Sequence, residues 1–168
     1  MNRILFIVCP FSSTEGFLRR AYGDGHYFLT VSGAVPDLDD PFTLETVRNL
    51  IVDKGVRCVQ IVNDESCRFI DAVVGGRDAV GLPVGERLAE TYGASGLERA
   101  VGLSRQERRM RLAECNVRRQ LERMEDAPAL GETMKFYGVR AKATVTCREN
   151  GLIMDLNRHV RNRVVHEH

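Results

Sequence analysis

The stretch DPFTLETVRNLIVDKGVRCVQIVNDESC, residues 40–67, decides the fold. Asp40 can cap a helix that has Pro41 at its first position, and the apolar spacing predicts that helix over the first half of the stretch. The second half contains a short apolar run, 56–62, which is typical of a buried strand. An earlier run of the same kind, Ile4–Cys9, predicts another buried strand. Strand, helix and strand at this spacing indicate a crossover connection, and therefore a parallel sheet.

Outward from this stretch, the pattern predicts a mixed α/β chain. Ser104 and Glu107 form a capping box for a long helix that stops before Pro128. Apolar residues then alternate with arginine, lysine and threonine over 139–147, which predicts a strand with one face in water. Asn150-Gly151 predicts a hairpin after that strand. The other expected elements are strands over 26–31 and 152–156 and short helices at 17–21, 86–92 and 128–137.

Length and composition limit the class of protein. The 168 residues fit one domain, 1–168, and 43% hydrophobic with 28% charged residues is the balance of a globular chain rather than a disordered one. A net charge of +1 gives no general attraction to nucleic acid or membrane. The arginines of the long helix alternate with glutamates, which is typical of a salt-bridged surface. We therefore expect neither a nucleic-acid nor a membrane partner, leaving a small-molecule substrate or none.

The cysteines indicate the compartment. Five cysteines are an odd number and are widely spread along the chain. This pattern favours reduced thiols over a disulfide framework and predicts a cytoplasmic protein. Three of them, Cys58, Cys115 and Cys147, lie on apolar faces and are interpreted as core residues.

The remaining two cysteines predict a site. Cys9 ends the first strand, and Cys67 lies just past the strand at 56–62. Ligands bind beyond the carboxyl ends of strands in parallel α/β sheets, so the two thiols are expected to meet there. Thiolates are ligands for zinc, and Asp64 on the same loop is a candidate third donor. None of the four histidines is close to Cys67 in the sequence, and three of them fall in the polar tail, His159, His166 and His168.

Several segments together resemble the β-class carbonic anhydrases. The segment VQIVNDESCR, 59–68, resembles the strand and cysteine-bearing loop of that family, and Cys9 takes the place of its first zinc cysteine. The segments NVRRQL at 116–121, YGV at 137–139 and ENGL at 149–152 follow the family's order and spacing. The resemblance extends over about residues 3–156. It implies a mostly parallel central sheet flanked by helices, with an antiparallel edge hairpin.

The resemblance also implies a chemistry and a departure from it. In the family two cysteines and a histidine hold zinc, which lowers the pKa of bound water so that hydroxide attacks carbon dioxide. The histidine's place is taken by Asp64, and an aspartate and an arginine beside the site are replaced by Phe11 and Ser13. The resemblance therefore implies a lyase-like zinc protein, with Cys9, Cys67 and Asp64 as candidate ligands, in which little carbon dioxide hydration is expected.

Alternatives stay open from the residues alone. The chain could be a zinc-dependent hydrolase with other chemistry, or a metal-free binding module in which the two cysteines are core residues. The hydroxyl-rich loop 12–16 could hold a phosphate, as in a flavodoxin-like cofactor carrier, although Glu15 opposes a phosphate and the chain has no tryptophan to stack on a flavin. An open sheet edge near the hairpin, together with the resemblance, predicts a homodimer.

Overall fold

A computed structural model of the chain describes residues 2–77 and 82–156, and the backbone of residues 163–164. The strands in these ranges are β1 (Arg3–Val8), β2 (Tyr27–Thr30), β3 (Val56–Asp64), β4 (Arg140–Cys147), β5 (Leu152–Asp155) and β6 (Arg163–Val164). The α-helices are α1 (Thr14–Tyr22), α2 (Pro41–Val52), α3 (Arg68–Val74), α4 (Pro83–Ala94), α5 (Arg105–Asp126) and α6 (Pro128–Phe136). Single 3₁₀ turns occupy Pro10–Ser12, Ser32–Ala34 and Arg148–Asn150.

The strands form one sheet in the order β2-β1-β3-β4-β5-β6. β1 pairs in parallel with β2 and β3, and β3 pairs in parallel with β4. β4 and β5 form an antiparallel hairpin, to which the two-residue β6 adds antiparallel. The predicted parallel sheet with an antiparallel hairpin at one side is confirmed.

Two apolar clusters cover the faces of the sheet. The larger one packs residues of α2, α4, α5 and α6 against β1, β3 and β4, with Leu5, Ile61 and Val145 fully buried. The smaller one lies on the other face, where Phe6 and Leu18 are fully buried. Because both faces are covered, β3 is buried along nearly its whole length and β1 is buried from Leu5 onward.

The long helix α5 begins as predicted. The Ser104 hydroxyl accepts from the Glu107 amide at 3.2 Å, and the Glu107 carboxylate accepts from the Ser104 amide at 2.7 Å. These bonds satisfy backbone groups that the first turn of a helix leaves open. The helix continues until Pro128, which begins α6. Its buried face includes two polar residues, Asn116 and Gln120.

Three sequence expectations need correction. Cys115, which was interpreted as a core residue, is only half-buried in α5. The helix α3 directly after Cys67 was not predicted, because it is only seven residues long. The predicted wet face of β4 is wrong in its second half, where Thr144 and Thr146 are fully buried. Their hydroxyls bond to Gln60 and Asp64 of β3, and threonine is polar enough to mimic exposure in a sequence while being small enough to lie inside.

Candidate metal centre

Cys9 and Cys67 meet at the carboxyl ends of two adjacent parallel strands. Cys9 directly follows β1, and Cys67 is the residue before α3. Both side chains are buried in the same apolar cluster, and the two thiols interact closely enough that each shifts the pKa of the other. The amide of Gly33, in the turn that follows β2, donates to the Cys9 sulfur at 3.3 Å. Three loops therefore converge on one sulfur atom.

The contacts of this sulfur favour its charged form. The hydrogen bond from Cys67 is the main cause that lowers the pKa of Cys9 to about 6; burial acts in the opposite direction, and the amides of Phe11, Gly33 and Ala34 reinforce the lowering. The pKa of Cys67 is raised, because its proton is held by the Cys9 sulfur and because burial and the Cys9 charge disfavour a second thiolate. The two shifts have opposite directions, so the first proton to leave the pair comes off more easily than the second.

Backbone strain is concentrated around the same sulfur. Among the described residues, the non-glycine residues with positive φ are Ser13, at 52°, and Ala34, at 56°. One follows the turn after Cys9, and the other lies in the turn that faces Cys9. Gly33, at φ 64°, could not carry a side chain there, because a Cβ atom would lie 2.6 Å from a methyl carbon of Val84. Strained conformations of this kind persist where the surrounding structure fixes them and are frequent at functional sites.

The carboxylate of Asp64 has partners of its own. Its Oδ2 accepts from the Thr146 hydroxyl at 2.7 Å and lies 3.3 Å from Nε of Arg148. Its Oδ1 accepts from the amide of Ser66 at 3.0 Å and from the Ser66 hydroxyl. Within residues 2–77 and 82–156, no three or more histidine, cysteine, aspartate or glutamate side chains are grouped so that they could hold a metal ion. The structure thus brings Cys9 and Cys67 together without adding Asp64 to them.

Comparison with solved structures identifies the architecture. No protein-family model and no curated protein sequence matches the chain. The β-carbonic anhydrase CafD of Aspergillus fumigatus superimposes with a TM-score of 0.76 at 18% identity, over 93% of this chain and 90% of that one. CafA of the same fungus gives 0.75 at 24% identity, over 93% and 76% of the two chains. A tetrameric β-carbonic anhydrase from Sordaria macrospora gives 0.75 at 16% identity, over 94% and 81%.

The chain has the β-carbonic anhydrase fold. The resemblance expected from the sequence is confirmed at the level of the fold, and the low identities agree with a divergent member. The β-carbonic anhydrase fold brings the carboxyl ends of β1 and β3 together, and Cys9 and Cys67 lie at those ends. Two of the departures from the family pattern, Phe11 and Ser13, lie in the turn that follows β1.

Phe11 and Ser13, which the sequence resemblance aligns with the family's aspartate and arginine, lie in the turn directly after Cys9 and at its end. The Phe11 ring is about half exposed and packs edge-on against Phe69 at 5.7 Å between centroids. The Arg68 guanidinium lies 5.8 Å from the centre of the Phe11 ring. Phe11 and Phe69 thus each lie two residues after one of the two cysteines, and their rings contact each other. A phenyl ring offers no hydrogen-bond acceptor comparable to a carboxylate.

An ion-pair network beside the thiols was not anticipated. Glu65 is buried, and its Oε2 lies 3.4 Å from Nη2 of Arg109 without making a hydrogen bond. Its Oε1 accepts from the thiol of Cys147 at 3.7 Å. Arg109 also bonds Asp71 at 3.2 Å, which connects α5 to α3. The sequence signal was the alternation of charges in α5, but the partners come from other elements and could not be read from spacing.

The loop 12–16 has a different role from phosphate binding. The hydroxyls of Ser12 and Thr14 are buried and bond each other at 2.5 Å, and the Ser12 hydroxyl also donates to the Cys9 carbonyl at 2.8 Å. Glu15 pairs with Arg19 on the surface. The hydroxyls therefore stabilise the turn after Cys9 and do not face an open cradle.

The side chains at this site can be compared with the ligands that zinc prefers. Cysteine sulfur is a ligand that zinc prefers, and a thiolate is already favoured at Cys9. The Cys67 thiol gives up its proton more readily when a metal binds, since metal binding displaces thiol protons. The pair thus fits the two-cysteine part of a zinc site. The histidines His159, His166 and His168 of the tail lie outside the described residues.

Proposed function

We propose that this chain is a divergent carbonic-anhydrase-like protein that binds zinc through Cys9 and Cys67 and has little carbon dioxide hydratase activity. The observation that carries the proposal is the buried Cys9–Cys67 pair, in which each thiol shifts the pKa of the other and the Gly33 amide donates to the Cys9 sulfur. The pair lies at the carboxyl ends of β1 and β3, in a fold shared with zinc enzymes.

The expected role of the metal follows from its ligands. Bound zinc supplies a Lewis acid that lowers the pKa of coordinated water. Cys9 and Cys67 would hold the ion, and the amide of Gly33 would offset the negative charge of the thiolates. Asp64 as a third ligand stays a prediction, and to act in this way it would have to give up contacts with Thr146, Ser66 and Arg148.

Low hydratase activity is proposed because two groups are replaced together. Phe11 stands where the family's aspartate accepts a hydrogen bond from the hydroxide, and its ring cannot accept one in that way. Ser13 stands where an arginine holds that aspartate. Loss of parts that act as a unit is not compensated by keeping the remaining ones.

The test uses protein made without an affinity tag. We expect zinc in metal analysis of the purified protein and, in stopped-flow assays, hydration close to the uncatalysed rate. Zinc present with fast hydration would contradict the low activity, and absence of zinc after dialysis against zinc chloride would contradict the metal site.

A metal-free binding module is the second candidate, and the burial of the two thiols favours it. Two neighbouring thiols can be buried as neutral groups without a metal, and both side chains are buried here. The same metal analysis separates the two candidates. A flavodoxin-like role receives no such support, because Ser12 and Thr14 bond one another.

We further propose that the chain works as one domain in a cytoplasmic homodimer. All five cysteines are free, which supports a reducing compartment. Within the described residues no helix is long and apolar enough to cross a membrane. The Sordaria macrospora proteins with this fold are tetrameric, which supports self-association. Sedimentation at micromolar concentration tests it, and a monomer there would contradict the dimer.

A further inference from the structure

The peptide unit between Gly33 and Ala34 is held from behind by two side-chain amides. The carbonyl oxygen of Gly33 accepts from Nδ2 of Asn63 at 2.9 Å and from Nδ2 of Asn116 at 3.1 Å. The amide of Gly33 donates to the sulfur of Cys9 at 3.3 Å, and the amide of Ala34 donates to the carbonyl of Val31 at 3.0 Å. The two side-chain amides that bond the Gly33 carbonyl therefore fix in place the residue whose own N–H meets the sulfur.

The side chain of Asn116 is itself held in one orientation. Its Oδ1 accepts from Nε2 of Gln120 at 3.1 Å, and Oε1 of Gln120 accepts from Nη1 of Arg123 at 3.0 Å. Arginine has donors and no acceptor, so it must meet the oxygen of Gln120. Gln120 then presents its nitrogen to Asn116, which must turn its own nitrogen toward Gly33. Arg123, which is partly exposed, therefore determines the orientation of both amides in this series of hydrogen bonds.

Burying these side-chain amides is costly unless all of their hydrogen bonds are made. Asn63, Asn116 and Gln120 are all buried. Buried amides are destabilising when any of their hydrogen bonds is lost, so such networks fix one arrangement. The arrangement fixed here is the turn that contains Ala34 in its strained conformation, at φ 56°.

We propose that Asn116 is a positioning residue for the thiol pair, which holds the Gly33–Ala34 turn against the Cys9 sulfur, and that Arg123 sets its orientation through Gln120. The motif NVRRQL, which belongs to α5 and is distant from both cysteines in the sequence, thereby acts on the site. The inference rests on the Cys9–Cys67 pair being the functional site, but it does not depend on which ligand the pair binds.

The test compares three variants of the full chain. Asn116→Leu keeps the branched shape of the side chain and removes its bonds to Gly33, Asn63 and Gln120. Gln120→Met leaves the Asn116 amide in place and removes the bonds from Gln120 to Asn116 and Arg123. Gln60→Leu is the matched control. Gln60 is an equally buried amide of β3, but it lies on the opposite face from Asn63 and donates to Thr144 at 2.7 Å.

The first readout is the amide proton resonance of Gly33 in the metal-free protein, because this N–H donates to the Cys9 sulfur. We expect it to move upfield in Asn116→Leu, to move less in the same direction in Gln120→Met, and to stay in place in Gln60→Leu. Repeating Asn116→Leu in a Cys9→Ser background isolates the part that depends on the sulfur, and we expect a smaller shift there. A role confined to packing would give equal shifts in both backgrounds.

The second readout is zinc affinity, measured by competition with a chelator. We expect Asn116→Leu to bind zinc about 10- to 100-fold more weakly, the usual loss when a residue behind a metal ligand is removed. If natural protein binds no zinc, the proposed function fails, while the Gly33 amide resonance still decides this inference. An unchanged Gly33 resonance in folded Asn116→Leu would overturn it. If that variant does not fold, Gln120→Met decides in the same way.

Discussion

Two neighbouring regions at the end of β3 differ in how their polar groups are satisfied. Asn63 and Asp64 are consecutive, so their side chains point to opposite faces of the sheet. On the Asp64 face, every carboxylate oxygen has hydroxyl, amide or guanidinium partners. On the Asn63 face, the partners of the Cys9 and Cys67 thiols within the described residues are each other and backbone amides.

The difference shows which of these side chains are available to bind a ligand. A buried carboxylate must be matched by charge and hydrogen bonds, and Asp64 is matched in place. A thiol can be buried as a neutral group, and a thiolate can be held by amides without a countercharge. The Asp64 region is therefore a structural anchor between β3 and β4, and the thiol region keeps its capacity for a ligand.

The largest expected effect is on zinc retention. Replacing both Cys9 and Cys67 by Ser removes both soft donors, so we expect the purified protein to retain no zinc while it stays folded. Cys115→Ser is the control, because Cys115 is a half-buried residue of α5 and does not contact the pair. The measurement is metal analysis together with circular dichroism, and zinc retained by the double variant would place the metal elsewhere.

The next effect should fall on stability alone. Asp64→Asn removes the charge that Arg148 pairs with inside the protein, and we expect the free energy of unfolding to drop by about 3 kcal/mol. Zinc retention should not change. The exposed pair of Glu15 and Arg19 offers the control, because Glu15→Gln should cost less than about 1 kcal/mol. Urea unfolding measures both, and loss of zinc from folded Asp64→Asn would instead make Asp64 a ligand.

The smallest effect concerns the ion pairs between α3 and α5. Burial acts to raise the pKa of Asp71, but hydrogen bonds from Arg109 and Arg105 outweigh it and lower the pKa. Its stabilisation is therefore present above the pKa of an unfolded aspartate, about 4, and is lost as the pH falls through the lower folded value. We expect Asp71→Asn to cost about 1–2 kcal/mol at pH near 7.

The pH dependence provides the check on this last prediction. The difference in unfolding free energy between natural protein and Asp71→Asn should shrink as the solution is acidified, and zinc retention at neutral pH should be the same in both. A difference that stays constant with pH would mean that the charge of Asp71 does not contribute.

The sequence was a good guide to elements whose signals are local. The run Ile4–Cys9, the cap at Asp40 and the capping box of α5 each depend on neighbours within a few residues, and each was placed correctly. The helix α3 was missed because seven residues give too short a pattern to detect. Thr144 and Thr146 were misplaced because their partners lie in another strand, 82 or more residues away.

The sequence by itself determined the order of strands and helices, the parallel sheet and the position of Cys9 and Cys67 at strand ends. These follow from apolar periodicity and turn residues, which act over short distances along the chain. Only the tertiary structure decided that Asp64 is bound by Thr146 and Arg148, and that Asn116 reaches the turn behind Cys9. The physical reason is that hydrogen bonds and ion pairs depend on distances of about 3 Å between side chains, which packing sets and residue spacing does not.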